Sequence, residues 1–310
     1  MSSIIKMQAT SPASQLQISI AIVTRNRPES LERTLASWRR QTHQPSEILV
    51  SDDSDDSVRP EVKSIALRYD TVWIAGPRRG LYANRNHVVS FCNGSHFLSG
   101  DDDHEHPLDL LKKCHSAVES DARAIWCLGE VHDWSDLEKG WLIPGELHLS
   151  GAPGPPHDAN NTWSWSDGAT LCPREVFASG LRFAEDFRFG ASYLEFGCLL
   201  YYLGYRIRIL NETGVVHHIS EHRRSFEEPV EDRAALLFAL LMLGLVYQKT
   251  PKNLLRLGLY FVKQSARRPS MLLRSFPKAW RAKCARQSWL KNWYNDDGGR
   301  LVSLESVSSG

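Results

Sequence analysis

Four short apolar runs constrain this chain more than any other feature: "QISIAIV" (17–23), "SEILVS" (46–51), "TVWIA" (71–75) and "SHFLS" (95–99). Each is rich in Ile, Val or aromatics and has the length of a buried strand. Helical periodicity fills the gaps. "RPESLERTLASWRRQT" puts Leu31, Leu35 and Trp38 on one face, with Pro28 in the early position that helices tolerate. Val62, Ile65, Ala66 and Tyr69 repeat the pattern before the third run, and Leu81, Val88, Val89 and Cys92 repeat it before the fourth. Strand and helix alternating in this way imply an open, mainly parallel sheet with helices on its faces.

In such a sheet ligands bind beyond the carboxyl ends of the strands, and every polar cluster in this part of the chain falls there. "TRNRP" follows the first run, "DDSDD" the second, "GPRRG" the third and "DDDHEHP" the fourth. Two carboxylates about 5 Å apart repel by roughly 3 kcal/mol at an effective dielectric of 20. Asp101, Asp102 and Asp103 therefore form either a fully solvated turn or the seat of a cation. The company they keep favours the cation, and oxygen donors of this kind suit a divalent metal. A dinucleotide site needs glycines in the first strand-to-helix turn, and "TRNRPE" has none, which argues against NAD. A nucleotide diphosphate neutralised by metal remains. An EF-hand reading of "DDSDDSVRPE" fails, because the glycine is missing and Pro60 intrudes. Asp55 and Asp56 read as solvated, and His104 and His106 as members of a charged loop, with transition-metal binding the alternative.

Residues 130–162, rich in Gly, Pro, Trp and His, read as irregular loops lining a pocket. "SDGATLCPREVF" reads as a short strand leading into a helix. The stretch from Arg182 carries a helix ending at Gly204 and a strand running to about Leu210. Trp163 and Trp165 suit either sugar stacking or the core. Net charge is +1, which argues against nucleic acid as a partner, but no Asp or Glu lies between Asp232 and Asp296 while Lys and Arg recur from Lys249 to Lys291. With Trp280, Trp289 and Trp293, segment 233–295 suits an anionic membrane surface, and equally a helical appendage with a positive outer face. The six cysteines make no CxxC pair and read as reduced thiols. The N-terminal stretch lacks a signal-peptide pattern, and the longest apolar run (234–247) is too short to span a bilayer. A cytoplasmic protein is expected, with a peripheral place on the inner face of the plasma membrane if the basic segment binds lipid. The expected divisions are a tail over 1–16, the α/β domain over 17–230, a basic helical extension over 231–295 and a tail over 296–310.

"IAIVTRNRPESLERTLAS", "EILVSDDSDD", "GLYANRN", "FLSGDDDHEHP", "FRFGASYLEFGCLLYYLGYRI" and "GVVHH" occur in this order between about residues 17 and 220. In this they resemble the family 2 glycosyltransferases with the GT-A fold. The resemblance implies an inverting transferase that uses Mn2+ or Mg2+. It would move a sugar from a nucleotide-diphosphate donor, a UDP-sugar first, to a glycan or lipid-linked acceptor in cell-surface polysaccharide or glycolipid synthesis. By the same resemblance Thr24 and Asp53 contact the nucleoside, with Arg25 and Asn26 in the same turn, and Arg85 and Asn86 sit near the nucleotide. Asp101, Asp102 and Asp103 are the DxD-type metal acids, Asp102 foremost, with Asp101 also near the nucleotide. His217 is the metal histidine, with His218 its adjacent rival. Ser192 and Tyr193 fill the places of the family's Glu-Asp pair. That leaves Glu195, with Asp186 second, as the expected base, and it leaves open a non-catalytic nucleotide-sugar or divalent-ion binding protein on the same scaffold.

Overall fold

The computed structural model describes residues 16–218 and 228–296, so nearly all of the two expected tails lies outside the described residues. The first four strands form where the apolar runs predict: β1 (Ile18–Thr24), β2 (Glu47–Asp52), β3 (Val72–Ala75) and β4 (His96–Asp101). Between them lie α1 (Pro28–Arg39), α2 (Arg59–Arg68) and α3 (Leu81–Val89). All seven residues of β1 are buried, as a central strand covered on both faces requires. Leu31, Leu35 and Trp38 of α1 are fully buried against it, each contributing about 2–3 kcal/mol of apolar transfer.

The chain continues through β5 (His104–Glu105), α4 (Leu110–Ser120), β6 (Ile125–Val131), a 3-10 turn (Trp134–Lys139), the small hairpin β7 (Glu146–Leu147) and β8 (Pro153–Gly154), β9 (Thr170–Pro173) and α5 (Arg174–Ala178). After α6 (Tyr193–Tyr202) comes β10 (Ile207–His217). The eight-stranded sheet has the order β3-β2-β1-β4-β9-β6-β10-β5. β1 is parallel to both β2 and β4, β6 is parallel to β10, and β9 is antiparallel to β4 and β6. Because β2 and β3 lie on one side of β1 and β4 on the other, the strand order reverses at β1/β4, and a crevice opens past Thr24 and Asp101.

Two boundaries differ from expectation. The helix expected to end at Gly204 stops at Tyr202; Gly204 takes a positive φ of 86°, and the amide of Tyr205 reaches back to the carbonyl of Leu200 at 3.0 Å. The strand expected to end near Leu210 runs on to His217, because a bulge between Leu210 and Gly214 absorbs the polar Asn211–Thr213. It resumes with Gly214 opposite Gly129 and ends with His217 opposite His104, which carries a histidine to the crevice.

Three more helices follow: α7 (Pro229–Met242), α8 (Pro251–Arg267) after a π-helical turn at Leu243–Tyr247, and α9 (Pro269–Asp296). The apolar run of α7 is buried except for the half-buried Leu236, and it shares one core cluster with α6 and with Ala279, Ala282 and Leu290 of α9. That core runs without a break across residue 230. No described helix is long and apolar enough to cross a membrane.

Candidate active site

The acidic triplet is held by α1, the first helix of the chain. Thr34 Oγ1 of α1 lies between the buried carbonyls of Asp102 and His104, at 2.9 and 2.8 Å, and Ser37 Oγ meets His106 Nδ1 at 2.6 Å. The His106 ring packs on Trp38 with 3.9 Å between centroids. Both His104 and His106 are therefore buried, at 1% and 3% exposure, which corrects their reading as a charged loop. Burial drives the His106 pKa well below its ordinary value.

Each member of the triplet faces a cation. Arg85 Nη2 donates to Asp101 at 2.7 Å, while Arg27 Nη1 bridges Asp102 at 3.2 Å and Asp103 at 2.7 Å. Thr24 Oγ1 donates to the other oxygen of Asp102 at 2.7 Å. Burial, with the charge of Asp103 beside it, pushes Asp102 up to about 6. Burial would also raise Asp103, but the His217, His104 and Arg27 groups around it hold its carboxyl below the usual range. His217 lies between Asp103 (3.6 Å) and Glu130 (2.9 Å); these two carboxylates outweigh burial and raise it to about 10.

The triplet, Thr24, Arg27 and His217 line a cavity of about 480 Å³, a volume suited to a small-molecule ligand. Of the residues expected at the site, Thr24, Arg25, Asp53, Asp101, Asp102, Asp103 and His217 line it. Asp53 lies at the end of β2, where the amide of Arg78 donates to it at 2.8 Å and burial raises its pKa. Gly168, at φ +81°, lets the backbone approach Asp101 so closely that a Cβ there would lie 2.2 Å from its carboxylate.

Other expected residues sit elsewhere. Asn26 turns outward and exchanges two hydrogen bonds with Asp55, at 2.7 and 2.9 Å. Asp55 and Asp56 are largely exposed, though Arg25 and Arg78 pair with them. Arg85 is buried behind the wall, reaching the cavity only through Asp101 and Asp167. Asn86 ties down the backbone of Phe183 and the side chain of Glu185. His218 points its Nε2 to Glu105 at 2.8 Å, away from the triplet. Trp165 is core, and Trp163 donates to the carbonyl of Leu147 at 3.1 Å.

The expected base, Glu195, has closed surroundings. Glu195 is 0% exposed, and both its oxygens face Arg286 of α9, at 3.0 and 3.1 Å, with the Tyr247 hydroxyl donating to it as well. It does not line the cavity. Asp186, the second choice, is exposed and does not line the cavity either. Three other acids do line it: Asp167, Asp232 and the exposed Glu228. Asp167 has Arg85 at 2.9 Å and is raised to about 6, by burial first and then by the charge of Asp101. Asp232 of α7 lies beside Gly190 and is raised by burial. Asp167 in "SDGAT" at the strand-side loop carried a weak signal; Asp232, in a segment read as an appendage, carried none.

The metal reading fits the donors. Arg27 already holds positive charge between Asp102 and Asp103, and neither ring nitrogen of buried His104 is hydrogen-bonded. Asp103, His104 and His217 each offer a ligand atom within 4.8 Å of the others. A second cavity, of about 410 Å³, opens off the same wall and shares Asp101, Asp167, Tyr193 and His217. Its far side is built from the irregular residues 142–145 and 153, part of the stretch expected to line a pocket.

Comparison with known proteins agrees with this geometry. A family model described as glycosyl transferase family 2 matches residues 19–178. No curated protein matches the sequence significantly. Among solved structures, S. aureus TarS 1-349 in complex with UDP-GlcNAc aligns at TM-score 0.57 and 16% identity, covering 86% of this chain and 79% of that one. The mannosyltransferase PcManGT from Pyrobaculum calidifontis, in complex with GDP-Man and Mn2+, aligns at 0.58 and 17%, covering 90% and 77%. GalNAc-T7 with UDP, GalNAc and Mn2+ aligns at 0.63 and 15%, covering 91% of this chain but 55% of its own. At these identities the likeness is one of fold.

Proposed function

The chain belongs to glycosyl transferase family 2, and from that membership we propose that it transfers a sugar, with inversion, from a nucleotide-diphosphate donor to a glycan or lipid-linked acceptor. It is a glycosyltransferase with a nucleotide-sugar fold; the donor, metal and pathway are the further reading. The observation that carries this reading is the acidic triplet at the switch between β1 and β4, opening on the cavity that Asp53 shares. Asp53 and Thr24 hold the nucleoside, and uracil is the favoured base.

Asp103, His104 and His217 would hold Mn2+ or Mg2+, with Asp102 beside them; Asp101 is committed to Arg85. When bound, the ion supplies charge neutralisation to the departing diphosphate. The chain's own groups do the rest. Arg27 lies within reach of both the acids and the cavity, so it positions negative charge at that end. The acceptor enters by the second cavity. As its hydroxyl oxygen forms the bond to the anomeric carbon and the bond to the diphosphate breaks, its proton passes to a carboxylate of the wall. Asp232, whose raised pKa suits a base and which faces no arginine of the triplet, is the first choice.

Ser192 and Tyr193 in place of the Glu-Asp pair favour one second reading, nucleotide-sugar binding without turnover. Within the first reading the protein acts in cell-surface polysaccharide or glycolipid synthesis, on the cytoplasmic side, at an anionic membrane. Thermal shift with UDP, GDP and dTDP, each with and without manganese, tests the donor site. One nucleotide should stabilise the protein in a metal-dependent way, and Asp102→Ala should abolish the shift. Absence of any shift would remove the reading. Binding without release of nucleoside diphosphate across an acceptor panel would select the second one.

A further inference from the structure

α8 is docked by one face and bare on the other. Leu257 and Tyr260 are buried against the protein, with Asn253, Phe261 and Gln264 half-buried beside them. At 3.6 residues per turn, Leu255, Leu259 and Val262 fall on the opposite side, where they are 65%, 59% and 68% exposed. Lys252, Arg256, Lys263 and Arg267 are all exposed and form a stripe alongside that apolar row. The chain turns at Arg268 and Pro269, and α9 adds Leu273, 74% exposed, and Trp280, 42% exposed, with Arg274 and Arg281 next to them. Single exposed leucines are ordinary, but a row of them on a helix face marks a contact surface.

Charge decides what the surface touches. No acidic residue lies between Asp232 and Asp296, so nothing within α8 or α9 short of Asp296 offsets the stripe. Lys278 is a different case, since it turns inward to Glu231 at 2.5 Å. A second copy packed by the same face would set one basic stripe against another. An anionic bilayer satisfies both halves of the pattern, taking the apolar row into its acyl boundary and the stripe onto its headgroups.

We propose that the outer face of α8 and the start of α9 dock on an anionic lipid bilayer, with Leu255, Leu259, Val262 and Leu273 buried in the interface and Lys252, Arg256, Lys263 and Arg267 on the headgroups. Arg256, Leu259 and Lys263 also border a groove of about 460 Å³ closed by His148–Ser150, which gives a headgroup phosphate a place to sit. The tip of the β7–β8 hairpin thus touches the lipid side while its root lines the second cavity, so a lipid-linked acceptor would arrive where the transfer needs it. The inference rests on the membrane part of the reading above, but its test needs no turnover.

The test is flotation of the full chain with vesicles of phosphatidylcholine alone or with about 30% phosphatidylglycerol, at about 0.1 M and about 0.5 M salt. Expected is binding to the anionic vesicles alone, weakened by salt. A Leu255→Ser, Leu259→Ser, Val262→Ser triple variant should bind about tenfold or more weakly, and Arg256→Glu with Lys263→Glu should abolish binding. Both variants should melt like the wild type and keep its nucleotide-dependent shift, so that failure of docking and failure of the donor site are read separately. Wild-type protein that ignores anionic vesicles, or a triple variant that floats undiminished, would overturn the proposal. So would a dimer that the triple variant splits, since the face would then belong to a second copy.

Discussion

Two of the acid–arginine centres in this molecule, one in the cleft and one in the core, hardly differ in bond length. In the cleft, Arg27 bridges Asp102 and Asp103 and Arg85 holds Asp101, at 2.7–3.2 Å. In the core, Arg286 holds Glu195 at 3.0 and 3.1 Å. What separates them is what each carboxylate has left over. The cleft acids border an open cavity, and Asp103 faces both Arg27 and His217, so partners can be exchanged there. Glu195 is fully enclosed and spends both oxygens on one arginine and one tyrosine. An acid on the right helix is thus a fastener when a distant helix brings it a counter-charge. The Glu195–Arg286 pair pins α9 to α6, and with it the helical segment that carries α8.

The largest effect should come from breaking the core pair. Arg286→Ala or Glu195→Ala leaves an uncompensated charge in a sealed site and should cost about 3–5 kcal/mol in urea unfolding. Replacing both, Glu195→Leu with Arg286→Met, should recover most of that, because the pair repays little beyond its own desolvation. Glu195→Gln should keep its turnover per folded molecule. A Gln variant that folds normally and has lost turnover would make Glu195 catalytic after all, and the contrast between the two centres would collapse.

Asp102→Ala should behave in the opposite way. A carboxyl pushed up to about 6 by burial is already a burden on the fold, so its removal should move the unfolding free energy by no more than about 1 kcal/mol. Turnover should fall on the order of 10²–10³-fold, the scale of losing one preorganised electrostatic contact. Steady-state kinetics beside unfolding curves would show whether the two centres divide function from stability in this way.

The parts of this plan that the sequence shows are those written locally. β1, β2 and β4 were legible because strands covered on both faces are continuous apolar runs, β3 at the sheet edge because it is β-branched and aromatic, and the polar clusters at their ends marked the crevice. Thr24 and Asp102 could be placed together because parallel pairing of β1 with β4 sets their strand ends side by side. Hidden were contacts made across long separations. Nothing near "YLEFG" announces Arg286, 91 residues on, and nothing near "DDDHEHP" shows that Ser37 and Trp38 bury His106. The direction of β9 was illegible for a different reason: a four-residue strand carries no sign of its pairing.

His106 sharpens the contrast more gently, since it supports the cleft from inside the core. Its folded pKa lies well below the ordinary value near 6.5, so the unfolded chain takes up a proton first as pH falls. Its contribution is present above about 6.5 and is lost below it, by up to about 1.4 kcal/mol per pH unit. Unfolding free energies of wild type and His106→Gln, compared between about pH 7.5 and pH 5, should diverge in slope only on the acid side. Equal slopes would mean that the ring is reached by water.

Asp186 should give the smallest effect. It sits close in sequence to α6 and carries the same carboxyl group as the cleft acids, yet it is exposed and outside the cavity wall. An acid so placed is solvated in both folded and unfolded states, so Asp186→Asn should change stability by less than about 0.5 kcal/mol and leave turnover unchanged. Asp232→Asn, 46 residues later in sequence but on the wall beside Gly190, should lower kcat while leaving nucleotide binding intact. If instead the Asp186 variant loses turnover and the Asp232 variant does not, the segment between Arg182 and α6 must close over the cavity when substrate binds. Access would then be set by motion of that segment, and the static difference between an enclosed and an open carboxylate would no longer identify the base.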